Sequence, residues 1–106
     1  LKILFDQGTP VPLRKSLEGH SVSTAHEIGW FTLQNGELLN AAKNDSFDIF
    51  ITTDRNLKYQ QNLESRKISI IVLSTTSWPR IRQVADDVAQ AVKSSSEKSF
   101  VEIEIP

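Results

Sequence analysis

At 106 residues, with 39% hydrophobic and 24% charged side chains and a net charge of −1, the chain has the size and composition of one globular domain. The near-neutral balance excludes a global electrostatic pull toward nucleic acid, so a polyanion partner needs a local basic patch. The absence of cysteine excludes disulfide and thiolate chemistry and fits a reducing, cytoplasmic setting, and no signal peptide and no apolar run near the roughly 18 residues of a membrane span is present, so no membrane partner is expected.

Residues 2–5 form a short apolar run, read as a buried strand that delivers Asp6 at its C-terminal end. Gly8, Thr9 and Pro10 turn the chain. Pro12 suits a first helical turn, and Val11, Leu13 and Leu17 space out a helix that stops near Gly19. Residues 21–24 read as a second strand around Val22, and residues 26–31 as a turn or short helix. Residues 35–43 are helical in pattern, with Asn35 as N-cap and Glu37 in the first turn. Residues 48–52 make the strongest strand pattern and lead into Thr53, Asp54, Arg55 and Asn56. A polar helix over 56–65 and a buried strand over 68–73 follow. Pro79 opens a helix whose single apolar face is Ile81, Val84, Ala85, Val88 and Val92. Residues 94–96 are a serine linker, and residues 100–105 alternate as a terminal edge strand or a tail that folds against a partner.

Strands alternating with helices give an α/β domain with a mainly parallel sheet. Its crossovers are expected to be right-handed, and its ligands to lie outside the carboxyl ends of the strands. Asp6 and Asp54 both sit at such ends. With Glu27 after the second strand and Glu37 opening the next helix, four carboxylates are expected around one cleft. Crowded like charges repel, and a divalent cation relieves them. Mg²⁺ prefers oxygen ligands, needs few carboxylates, and activates water for phosphodiester cleavage. Asn56 would ligate through its amide oxygen or orient a water, and Thr52 and Thr53 would bond a carboxylate or a phosphate. Arg14 and Lys15 on the first helix, and Arg55 and Lys58 after Asp54, would hold phosphates.

Each residue also has a plainer reading. A strand-ending Asp is most often a turn former, Glu37 suits the helix dipole, and Glu27 suits a solvated loop. The basic residues suit exposed helix faces. The pair Trp30-Phe31 would pack in the core, stack a base or cover a dimer contact. Two histidines without cysteine make no zinc pattern, no serine elbow is present, and the four glycines form no phosphate loop. A phosphoacceptor domain with strand-end aspartates would need a second acid after Asp6 and a lysine after a late strand. Gln7 and Ser74-Thr75-Thr76 stand there instead.

The stretches LKILFDQGTPVP (1–12), STAHEIGW (23–30), NGELLNAA (35–42) and FDIFITTDRNLKYQQNL (47–63) together resemble the bacterial PIN-like proteins, over most of the chain up to Leu73. The resemblance implies a three-layer α/β sandwich with a parallel central sheet, Mg²⁺- or Mn²⁺-dependent ribonuclease activity on RNA, and service as the toxin of a toxin–antitoxin pair, with an antitoxin protein as partner. It implies that Asp6 is the first-strand acid, Asp54 the acid of a Thr-x-Asp-like strand end, Glu37 the helix acid between them, and Glu27 the acid of the mid-chain motif. Gln7 and Asn56 depart from it, standing where relatives carry Glu and Asp. Both lower the local negative charge, which leaves a catalytically inactive PIN-like binding or assembly module as the alternative. The short chain leaves little material for a substrate clamp, a part that a homodimer would supply.

Overall fold

A strand buried on both faces needs a continuous apolar run rather than an alternating one. The computed structural model describes residues 1–57, 68–95 and 99–106 and turns the apolar runs of this chain into the middle of a sheet. In chain order the described elements are β1 (Lys2–Phe5), a 3-10 helix (Val11–Leu17), β2 (Ser21–Thr24), α1 (Asn35–Asn44), β3 (Ile49–Thr52), β4 (Ser69–Leu73), α2 (Trp78–Gln83), α3 (Ala85–Ser94) and β5 (Phe100–Ile103). The polar helix expected over 56–65 lies mostly outside the described residues. Five strands form one sheet in the order β2-β1-β3-β4-β5, every pair parallel. β3 and β4 are buried at every position, and β2 and β5 form the less buried edges.

Parallel register puts partners on one face, and Ile3 opposite Ile49, Phe5 opposite Ile51 and Ile51 opposite Ile71 align the first face. That face packs against Leu13 and Leu17 of the 3-10 helix and Ile81, Val88 and Val92 of α2 and α3. The second face, with Leu4, Phe50, Ile70 and Val72, packs against Leu38, Leu39 and Ala42 of α1. The domain is thus α/β with helices on both sides of an all-parallel sheet. Each such buried aliphatic side chain contributes about 1.5–3 kcal/mol. No helix among the described residues is long and apolar enough to cross a membrane.

Three local details differ from the sequence reading. The first helix is wound as 3-10: Pro10 and Pro12 have no N–H to give, and the Leu13 N–H bonds the Pro10 carbonyl three residues back. It ends before Gly19, whose φ of +90° is a conformation that favours glycine. The N-cap of α1 is Gln34, which frees Asn35 for another contact. The single helix expected after Pro79 is two. Val84, at φ −122° and ψ 23°, ends α2 and caps α3, and Asp86 and Asp87 fall in the first turn of α3, where the helix dipole favours acids.

The crossovers also depart from the usual rule. From β1 to β2 the chain steps one way across the first face, and from β2 to β3 it steps back the other way across the second. These two crossovers share a hand. From β4 to β5 the step goes the same way as β2 to β3 but over the first face, so its hand is opposite to theirs, and the described crossovers do not all share the one hand that parallel sheets prefer. The exception lets α2 and α3 cover a face that the 3-10 helix alone, with two buried leucines, would leave largely open.

Candidate functional site

The order β2-β1-β3 means that the chain leaves β1 toward one edge and later resumes at β3 on β1's other side. Loops leaving two such strands diverge, and the gap between them at the carboxyl ends is where open parallel sheets hold ligands. Asp6 directly follows β1 and Asp54 lies two residues past β3, so the topology alone sets both carboxylates beside that gap.

Asp6 is only 3% exposed. A carboxylate taken out of water must be hydrogen-bonded. Its Oδ1 accepts the Thr9 N–H at 2.9 Å and the Thr9 hydroxyl at 2.6 Å. Its Oδ2 accepts the Thr52 hydroxyl at 2.6 Å and, at a long 3.4 Å, the Thr53 N–H. Among the described residues no lysine, arginine or histidine pairs with it. The charge is therefore solvated by neutral dipoles and left uncancelled.

Thr52 is fully buried and couples the two acids. Its hydroxyl gives its proton to Asp6 and accepts the Asp54 N–H at 3.0 Å. Asp54, partly buried, accepts the Asn56 N–H through Oδ1 at 3.0 Å and the Asn35 side-chain amide through Oδ2 at 3.2 Å. Each carboxylate oxygen accommodates about two donors, so the two Asp54 oxygens, with one donor each, keep capacity for a cation, whereas at Asp6 only the long 3.4 Å Thr53 contact on Oδ2 leaves room for one. The donor set is all oxygen, which suits Mg²⁺ or Mn²⁺.

The other expected site residues are placed as follows. Glu37 lies in the first turn of α1, two residues from the Asn35 that touches Asp54, and its carboxylate accepts the Gln34 N–H at 2.9 Å. Glu27 stands beyond β2, where it accepts the Thr24 N–H at 2.9 Å and pairs with the Arg14 guanidinium. The Arg14 bond, then the Thr24 N–H, hold the Glu27 carboxyl below its ordinary range. Arg55 pairs at 2.8 Å with Glu104, past β5. Asn56 is exposed and contributes its backbone N–H. Thr53 meets Gly8 so closely that a Cβ on the glycine would stand 2.3 Å from the threonine hydroxyl. Among the described residues no three acids or histidines form a group that would hold an ion together. Lys58 lies outside the described residues.

Sequence reading did not single out Thr9 or the Asn35 side chain as site residues. The spacing Asp6-x-x-Thr9 is a turn signal that could have marked the first. The second had none, because Asn35 was taken as the cap. Trp30 and Phe31 part company: Trp30 packs edge-on to Phe47 at 6.2 Å beside the second-face core, while Phe31 is 51% exposed. Compared with protein families, curated proteins and solved structures, the chain shows no significant match.

Proposed function

We propose that the chain is a PIN-like ribonuclease dependent on Mg²⁺ or Mn²⁺, with Asp6 and Asp54 as its central acids, acting in the cytoplasm as the toxin of a toxin–antitoxin pair. The observation that carries the reading is the buried Asp6, joined through the Thr52 hydroxyl to Asp54, at the gap where a parallel sheet takes its ligand. Asp6 and Asp54 would hold the divalent ion, which when bound would supply an activated water and offset negative charge on the phosphodiester oxygens. The chain's own groups do the positioning. Thr9 and Thr52 fix the Asp6 carboxylate, and Asn35 and the Asn56 N–H fix Asp54. Glu37, Glu27 and Asn56 are the surrounding polar groups. Thr53, Arg14 and Arg55 are the groups that would meet phosphate, the two arginines by exchanging Glu27 and Glu104 for it. A second copy of the chain would extend the RNA surface, and an antitoxin would cover it.

The test is cleavage of single-stranded RNA with Mg²⁺ or Mn²⁺ and with a chelator, beside thermal melting. An ion that binds only the folded state raises the melting midpoint, by an amount worth about 2.7 kcal/mol at a hundred times its Kd. Wild-type protein should cut RNA and melt higher with metal, Asp6→Asn and Asp54→Asn should do neither, and induction in a bacterium should arrest growth only for wild type. Equal behaviour of all three proteins would sink the reading. One observation favours the second reading, a PIN-like binding module without catalysis: each acid already has hydrogen-bond partners, and both arginines are ion-paired. RNA binding with no metal-dependent cleavage would select it.

A further inference from the structure

Among the described residues Phe31 is one of three large hydrophobic side chains more than half exposed, with Leu1 and Val11. It is held in that position. Its carbonyl oxygen accepts a hydrogen bond from the Gln7 side-chain amide, and only the NH₂ end of that amide suits a carbonyl. Gln7 is the residue directly after Asp6. The tether therefore fixes the 26–31 turn against the loop that carries the buried acid. The His26 ring, also exposed, lies 5.4 Å from the Phe31 ring and tilted at 48°, so the half-exposed phenyl has one aromatic neighbour beside it. The same turn is anchored beneath by Trp30, whose N–H bonds the Ala25 carbonyl at 2.8 Å.

From this arrangement we infer that Phe31 is a stacking platform for one base of a single-stranded RNA, set by Gln7 beside the Asp6–Asp54 gap so that the nucleotide's phosphate would meet the divalent ion these carboxylates would hold. The inference rests on the ribonuclease reading above. A half-exposed aromatic ring is what base stacking uses, and every base offers a π-face to it. A stable protein interface needs about 800 Å² from each partner. Leu1 lies at the opposite end of β1 from Gln7, which leaves at most Val11 beside Phe31, far short of such an area. Phe31 is a specificity residue on this reading, and Gln7 a positioning residue.

The test measures steady-state cleavage of short single-stranded oligoribonucleotides, one series intact and one carrying a single abasic ribose at successive positions. Phe31→Ala should raise KM roughly ten- to a hundredfold with little change in kcat, and Phe31→Tyr should behave as wild type. For wild type, one abasic position should cost a similar factor. For Phe31→Ala that same position should cost nothing further. Gln7→Ala, which removes the amide that holds the Phe31 carbonyl without adding charge at the site, should raise KM by a smaller factor. The inference is overturned if Phe31→Ala has wild-type KM, if the abasic and Phe31→Ala losses simply multiply, or if Phe31→Ala changes the sedimentation of the protein and leaves RNA cleavage alone. The two readings fail separately: cleavage that persists in Asp6→Asn removes the ribonuclease site, whereas loss of cleavage there with no Phe31–base coupling removes only the platform.

Discussion

The loops after β1 and β2 each hold a carboxylate at the same end of the sheet, and they hold it in contrasting ways. Asp6 is buried among hydroxyls and N–H groups with no cationic side chain paired to it among the described residues, while the Glu27 side chain is 47% exposed and paired with Arg14. The comparison separates two uses of an acid. At Glu27 the negative charge is spent on a neighbour and screened by solvent, so it neither stabilises much nor attracts a ligand. At Asp6 the charge is kept from solvent and left formally unbalanced, which is costly for structure and useful for binding.

The largest expected effect is at Asp6. Asp6→Ala leaves the Thr9 N–H and the Thr9 and Thr52 hydroxyls without their acceptor in a buried pocket, a loss of about 2–4 kcal/mol. That corresponds to a fall of roughly 10–20 °C in the melting midpoint of a domain this size. Asp6→Asn, which keeps one carbonyl acceptor, should recover part of it. If Asp6→Ala melts like Glu27→Ala, the contrast between the loops collapses.

An intermediate effect is expected where the Asp6 loop touches the β3 loop. Gly8→Ala sets a methyl 2.3 Å from the Thr53 hydroxyl and should destabilise by about 1–3 kcal/mol in urea unfolding. In a Thr53→Ala background the obstructing oxygen is gone and the next Thr53 atom lies at 3.7 Å, so Gly8→Ala should become nearly neutral. Strict additivity of the two changes would show that the loops are not in contact.

The smallest effect belongs to Glu27. Its carboxyl stays ionised to lower pH in the folded chain than in the unfolded one, first because of Arg14 and then because of the Thr24 N–H. The pair's contribution is therefore fully present above the ordinary carboxylate pKa and fades as pH falls through the lowered folded value. Urea unfolding of wild type and Glu27→Gln across acid pH should show a small gap that closes toward low pH and shrinks with added salt. A gap that widens on acidification would reverse the assignment.

Much of this architecture was legible in the sequence, since the runs at Ile3, Ile49 and Ile70 are apolar at consecutive positions and so announce strands covered on both faces. The strand-end position of Asp6 and Asp54 followed directly. Two features did not. The break at Val84 was hidden because α2 and α3 both turn their apolar residues to the same core, so the spacing across the break still resembles one helix. The different settings of Asp6 and Glu27 were also hidden, because burial is decided by which loops close over a side chain, and Thr52 and Arg14 come from distant stretches of sequence.

The place of β5 at the edge of the sheet has a consequence for how the molecule survives outside its folded state. β5 is a four-residue edge strand paired on one side only, to β4, so it is the strand with the least sheet to hold it. With β5 gone, β4 becomes the border of the sheet, and its sequence Ser-Ile-Ile-Val-Leu is uncharged, largely β-branched and free of proline. That is the kind of segment that templates aggregation between chains. Glu102, exposed on β5, and Glu104, exposed just past it, then read as gatekeepers that put charge on this border of the sheet while β5 is in place.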